Sequence, residues 1–217
     1  MQAIKTVFKP AAAEVIEKKS RFIGFAAPCA SEGAALAYIN DIRKEHNRAN
    51  HNCFAFITPP IVRCSDDGEP SGTAGMPMLD ILKKEGMEYA LVVVTRYFGG
   101  TLLGTGGLHR AYSAAAKAAL EAACIITKEP YAKISISMNY DLHGKVNYEL
   151  LQQGHIVHDS FYSDKVELIA LVKHEQAQSA IKHITNVTAA NANIAIVDNI
   201  YAAFVKEQDK LVLFEDN

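Results

Sequence analysis

A cluster of five glycines within nine residues does most to constrain the fold of this chain. It lies between an apolar run at 90–94 and an alanine-rich amphipathic stretch at 111–123, an order that predicts a buried strand (89–95), a glycine loop and a helix (108–124). The backbone N–H groups of such a loop and the following helix N-terminus attract anions. Arg96 and Arg110 bracket the loop and add positive charge. The sequence therefore predicts an anion site that includes Gly99, Gly100, Gly104, Gly106 and Gly107.

The glycine pattern departs from both common nucleotide-binding motifs. Gly99 and Gly104 have the separation of a Walker A motif, but Thr105-Gly106 stands where Lys and Ser or Thr would hold phosphate and magnesium. A dinucleotide fingerprint that starts at Gly104 would need glycine at the position of His109. Two interpretations stay open: an anion or RNA-phosphate site, and a structural turn in which glycine permits close contact between helix and sheet.

The overall charge gives no general attraction to polyanions. The formal net charge is −2, so an RNA site would have to be a local basic patch. The segment Lys18-Lys19-Ser20-Arg21, predicted as a hairpin turn, would extend that patch if it lay beside Arg96 and Arg110. No apolar run reaches the roughly 20 residues of a membrane span. No secretory signal is visible. The four cysteines lack CxxC spacing, so we expect a cytoplasmic protein with reduced thiols and no membrane contact.

A second polar segment, Ser65 to Gly75, is rich in turn residues and carries Asp66, Asp67 and Glu69. These carboxylates could bind magnesium, present negative charge to a basic partner, or form a solvated turn in which the aspartates bond to their own backbone. The ligand periodicity of an EF-hand is absent. The segment therefore leaves three interpretations open.

Histidine and cysteine spacing gives only weak indications of a metal or a nucleophile. His46, His51 and Cys53 would need a distant fourth ligand such as Cys64 to hold zinc, and ordinary packing is the favoured interpretation. His51 and Cys53 share one face of a predicted strand without being placed for attack. The sequence accordingly predicts no metal and no cofactor, and it identifies no catalytic residue.

The predicted elements indicate an α+β protein of two domains, 1–130 and 131–217, with Glu129-Pro130 interrupting the pattern between them. The first has a hairpin over 6–27, a helix capped by Ser31 that runs to Glu45, a strand at 52–57 and a helix at 77–85. The second has strands and helices in the order βαββαβ over 132–198. This order is typical of a ferredoxin-like sandwich, and 211–214 could add an edge strand.

Several segments together resemble the YigZ/IMPACT family. They are KSRFIG from Lys19, HNCFA from His51, SDDGEPSGTAGMP from Ser65, VTRYFGG from Val94, and Leu103 to Tyr112; they cover most of residues 15–125. The resemblance implies a first domain similar to domain 2 of a small-subunit ribosomal protein and to domain IV of elongation factor G, and a second similar to domain V of that factor. It implies a link to translational control, which eukaryotic members exert by binding the activator of a starvation-responsive kinase. It supplies no catalytic residues.

Three functional hypotheses follow. The first is a non-enzymatic, translation-associated regulatory protein that binds RNA or the ribosome through the glycine loop, Arg96, Arg110 and Arg21. The second is an enzyme that holds a small phosphorylated or acidic substrate, with the acidic segment as metal ligand or base. The third is a protein-interaction module that presents the acidic segment to a translation-related partner.

Overall fold

The computed structural model describes residues 1–205 and 208–214, which divide into two compact units. The first unit is formed principally by Ile4–Thr127. The second is formed by Lys128–Phe204 with Met1–Ala3 and the strand that begins at Lys210. No helix in the part of the chain that the structure describes is long and apolar enough to cross a membrane.

The first unit is built on a five-stranded sheet in which every neighbouring pair is antiparallel. In chain order, its strands and helices are β1 (Ile4–Val7), β2 (Ala11–Glu17), β3 (Ser20–Pro28), α1 (Glu32–Glu45), β4 (His51–Thr58), β5 (Ile61–Ser65), α2 (Gly75–Lys84), β6 (Ala90–Tyr97) and α3 (Gly104–Ala122). The sheet order is β2-β3-β6-β4-β5, and β1 lies outside it.

Both faces of this sheet are covered, and that explains the continuous apolar sequence of its central strand β6. Leu91 and Val93 pack with α1, whereas Val92 and Val94 pack with α2 and α3. A strand buried on both faces needs apolar residues at successive positions instead of alternating ones. Helix α3 approaches the sheet closely at Gly24, where a Cβ would lie 2.4 Å from the Ala115 carbonyl oxygen. The alanines of α3 permit this approach.

Helix α3 and strand β5 differ from the sequence prediction. Helix α3 begins at Gly104, not at Leu108, so three of the five glycines form its first turn. Periodicity missed this turn because glycine carries no side chain and has a low helix propensity. Strand β5 was also not predicted; it pairs with β4 and ends where the acidic segment begins.

The second unit has the element order βαββαβ and one further strand. Its elements are β7 (Ile125–Met138), α4 (Tyr140–Gln152), β8 (Ile156–Tyr162), β9 (Val166–Lys173), a 3-10 turn (His174–Gln176), α5 (Ala177–Val187), β10 (Asn193–Val205) and β11 (Lys210–Phe214). They form a sheet in the order β11-β10-β7-β9-β8, so the predicted tail strand does lie at an edge. Alternate residues of β7, such as Ile134 and Ile136, form the core with α4 and α5.

The pair Glu129-Pro130 does not interrupt the secondary structure, contrary to the sequence prediction. It lies inside β7, which runs from Ile125 to Met138. Pairing of β7 with β9 begins only at Tyr131, whereas β10 pairs with β7 along Pro130 as well. Pro130 therefore lies within a paired stretch of β7, opposite Tyr201 of β10.

Candidate functional site

The acidic segment closes on itself through Asp66. The Asp66 carboxylate accepts hydrogen bonds from the N–H groups of Gly72, Ala74 and Gly75 at 2.8–3.0 Å, and Gly75 is the first residue of α2. Burial opposes the charged form of Asp66, but these three bonds outweigh it and lower the pKa of the carboxyl. Asp66 thus acts as an anionic cap on the loop and on the start of α2.

The other two carboxylates of this segment are also bound within the protein. Asp67 accepts from the Arg43 guanidinium at 2.8 Å and from the Asn52 N–H at 2.7 Å. Glu69 is buried, and its Oε1 accepts from Arg96 Nη1 at 2.6 Å and from the Tyr112 hydroxyl at 2.7 Å. All three predicted acidic residues therefore have internal partners.

Glu69 lies at the centre of a buried polar cluster, here called the Glu69 cluster: Cys53, His51, Glu69, Arg96 and Tyr112. The Cys53 thiol donates to the Asp66 carbonyl at 2.9 Å, and burial raises its pKa to about 12. Burial likewise raises the pKa of Tyr112. His51 Nδ1 donates to the Asp67 carbonyl at 2.9 Å, which turns Nε2 towards Glu69 at 3.8 Å. A neutral, buried thiol is a poor nucleophile, so this geometry gives no support to a Cys53–His51 pair.

Arg96 belongs to this cluster and is almost completely shielded from solvent. Arg96 is only 5% exposed, and the central carbon of its guanidinium lies 5.4 Å from the ring centroid of Phe22 and 5.5 Å from that of Phe98. Its Nε is buried without a hydrogen-bond partner in the described part of the chain. The charge that was predicted to face an external anion is thus paired with the Glu69 carboxylate inside the protein.

The glycine segment, Gly99 to Gly107, packs directly against the basic hairpin turn between β2 and β3. A Cβ on Gly99 would lie 2.1 Å from the Lys19 carbonyl carbon, and the Gly99 N–H donates to Ser20 Oγ at 3.1 Å. The turn that carries the exposed residues Lys18 and Lys19 therefore lies against Gly99 through its backbone. The sequence left open whether this turn joins Arg96 and Arg110; the contact seen here is with Gly99, which lies between them in the chain.

Helix α3 begins within the glycine segment and has an uncapped N-terminus. Among the residues that the structure describes, no side chain accepts a hydrogen bond from its first turn, and this turn contains no acidic residue. Gly104 and Gly106 are exposed, and the exposed Arg110 reaches back so that its Nη1 is 3.7 Å from a Cβ placed on Gly106. Helix N–H groups without a side-chain partner, next to a guanidinium, form a surface that favours anions.

Three further residues were predicted for the site: Arg21, Gly100 and Gly107. Arg21 is exposed, forms an ion pair with Glu14 at 2.8 Å, and lies 5.7 Å over the Tyr97 ring. Gly100 is exposed with a φ of +82°, a conformation that glycine adopts readily. Gly107 packs tightly, since a Cβ there would lie 3.0 Å from that of Leu103.

The described residues include no group of three or more His, Cys, Asp or Glu side chains placed to hold a metal ion. The residues considered for zinc have other partners: His46 Nδ1 lies 2.9 Å from the Tyr97 hydroxyl, and Cys64 contacts Met76. Sequence reasoning also missed Tyr112, because a tyrosine at a buried position of an amphipathic helix looks like an ordinary core residue.

Two family models and several proteins of one family match this chain. The Impact N-terminal domain model matches residues 18–120, and a model of a domain of unknown function (DUF1949) matches 136–191. The IMPACT family member YvyE of Bacillus subtilis is 35% identical over 184 residues, which cover 83% of this chain and 85% of that protein. The IMPACT family member YigZ of Escherichia coli is 36% identical over 173 residues, covering 76% and 84%. A crystal structure of a hypothetical protein aligns with a TM-score of 0.57 at 29% identity over 91% of this chain and 98% of that one.

Proposed function

The chain belongs to the IMPACT family, and we propose that it binds RNA, free or within the ribosome, through a basic surface of the first unit. This surface, here called the lysine–glycine surface, comprises Lys18, Lys19, the glycine segment and Arg110. The contact between Lys19 and Gly99 is the observation that carries the proposal, because it joins the turn that bears two exposed lysines to the start of the glycine segment, which leads into α3. Lysine and arginine charges beside free helix N–H groups form a phosphate site.

The conformation of the lysine turn supports this assignment. Lys18 and Lys19 both adopt positive φ, at +45° and +68°, in the two-residue turn that joins β2 to β3. Asn-Gly is the sequence that such hairpin turns prefer, and lysine in this region is conformationally costly. Two strained lysines at the tip of a hairpin are more easily explained by a need for their charge than by stability.

The acidic segment supports the fold of this surface instead of carrying chemistry of its own. Its three carboxylates are bound by backbone N–H groups, by Arg43, and by Arg96 with Tyr112. Arg96 supports the lysine–glycine surface from inside, and Arg21 follows the same turn with its charge paired to Glu14. We accordingly favour a non-enzymatic, translation-associated regulatory role in the cytoplasm.

The finer fold descriptions belong to the same proposal. A division into domains 1–130 and 131–217 is supported by the two compact units, which differ from it in placing 1–3 and 128–130 with the second unit and 205 and 208–209 with the first. A ferredoxin-like second domain is supported by its βαββαβ order with β7 at the centre of the sheet. The likeness of the first domain to a ribosomal-protein domain, and of both domains to elongation factor G, rests on the family resemblance. These likenesses favour the ribosome as the source of the RNA.

The test replaces the lysine turn with the sequence that the turn prefers. The double variant K18N/K19G removes two charges and places at both positions residues that adopt positive φ at lower cost. We therefore expect higher thermal stability together with weaker binding of a fluorescent RNA oligonucleotide. The matched control K83Q/K84Q removes two exposed lysines from the last turn of α2, in the same unit. It should leave RNA binding near the original level. Opposite signs for stability and binding exclude misfolding as the cause.

The salt dependence supplies the second readout. Affinity for RNA should fall as salt rises, and the slope against log salt should be shallower for K18N/K19G because fewer phosphates are neutralised. Equal slopes for the original protein, this variant and the α2 control would contradict the lysine–glycine surface. Absence of any salt-sensitive association with RNA or ribosomes would contradict the function itself.

A further inference from the structure

Phe98 is a large apolar side chain that the proposed phosphate contacts leave unused. It directly precedes Gly99 at the start of the glycine segment and is 44% exposed. One surface of its ring is supported by the protein, because the central carbon of the Arg96 guanidinium lies 5.5 Å from the ring centroid. Phe98 thus offers a partly exposed aromatic surface next to the lysine–glycine surface.

The support beneath Phe98 is itself fixed from inside the first unit. Arg96 is held by Glu69 on one side, and the buried ring of Phe22 lies under its guanidinium. The Phe98 N–H donates to Asn50 Oδ1 at 2.8 Å, which fixes its backbone. The Arg96 guanidinium, held by Glu69 through Nη1, thus gives Phe98 a flat, charged support. The ring is therefore preorganised before any ligand arrives.

We infer that the RNA ligand is single-stranded and that one of its bases stacks on the exposed surface of Phe98. This inference rests on the proposed function and adds the class of RNA. Aromatic side chains next to a basic surface are how proteins hold single strands without sequence preference. The bases of an RNA duplex are stacked on each other and unavailable to such a ring, so a duplex would use only the phosphate contacts.

The test compares three probes of equal length: a single-stranded RNA, the same strand with abasic positions, and the duplex. Phe98→Ala should weaken binding of the single strand on the order of 10-fold, the usual effect of losing one stacked base, and should leave the abasic strand and the duplex unchanged. Phe98→Tyr keeps an aromatic surface and should retain binding. Phe98→Leu keeps an apolar cover over Arg96 without an aromatic face and should behave like alanine. Phe161→Ala removes a ring of similar exposure, 55%, from the second unit and serves as control.

The outcomes separate this inference from the proposed function. If Phe98→Ala weakens the abasic strand or the duplex as much as the single strand, or if leucine restores binding, base stacking on Phe98 is wrong while RNA binding stands. Tighter binding of the duplex than of the single strand also overturns the inference. If the original protein binds none of the three probes, the proposed function fails as well.

Discussion

The acidic segment and the glycine segment look alike in sequence, because both are glycine-rich turns that lead into a helix. They differ in whether the protein's own side chains occupy the N–H groups at the start of that helix. In the acidic segment, Asp66 occupies the N–H groups at the start of α2. In the glycine segment, no side chain in residues 1–205 or 208–214 caps the start of α3. One helix N-terminus is thus neutralised by the protein's own carboxylate, whereas the other has the unneutralised N–H groups that the proposed phosphate site requires.

The difference shows that counting charged residues does not locate a binding surface. Arg96 lies between the two segments in the fold, and its charge is paired with Glu69. Lys18 and Lys19, by contrast, are exposed at the tip of a turn. A charge serves an external ligand only where the fold has not already given it a partner.

The largest expected effect comes from breaking the Glu69–Arg96 pair. Glu69→Ala leaves the buried Arg96 charge without its partner and should lower the free energy of unfolding by about 3–5 kcal/mol in urea denaturation. The double variant E69L/R96M removes both charges and should recover most of this loss. If the double variant is as unstable as the single one, then the stranded charge is not the cause of the loss.

The next effect tests the close contact on the glycine segment. Gly99→Ala would place a Cβ 2.1 Å from the Lys19 carbonyl carbon, and backbone atoms cannot rotate away. We expect a loss of about 1–3 kcal/mol in the free energy of unfolding and weaker RNA binding, since the lysine turn must shift. A stable Gly99→Ala protein with unchanged RNA binding would show that the contact between turn and segment is dispensable.

A smaller, pH-dependent effect is expected at Asp66. Its pKa is lowered in the folded state, so its stabilisation is fully present above the ordinary aspartate pKa near 3.9 and is lost as pH falls through the lowered value. Asp66→Asn should therefore cost about 1 kcal/mol near pH 6, and less as pH falls below about 4. Asp80→Asn, at an exposed position of α2, is the matched control and should show neither the cost nor the pH dependence. A cost that is constant with pH would contradict the anionic cap.

Local pattern predicted the elements better than it predicted the site. Ser31 as the cap of α1 and the buried strand β6 follow from residues close together in sequence, and the structure confirms both. The contacts that define the site join residues far apart: 27 positions separate Glu69 from Arg96, and 79 separate Ser20 from Gly99. Such pairs of single polar or small residues leave no periodic trace in sequence. Periodicity also placed the start of α3 too late, because glycines contribute nothing to it.

The smallest expected effect is that of Gly106→Ala, which tests whether the glycine segment is an anion site or a purely structural turn. A Cβ on Gly106 meets nothing closer than Arg110 Nη1 at 3.7 Å, which is an ordinary contact. Because alanine is the better helix former, Gly106→Ala should raise the free energy of unfolding by about 0.5 kcal/mol. If the glycine allows a phosphate to approach the backbone, RNA affinity should fall several-fold at the same time, because the methyl group occupies that approach. A gain in stability with unchanged affinity would mean that Gly106 belongs to the turn alone and that the phosphate is held by Lys18, Lys19 and Arg110 instead.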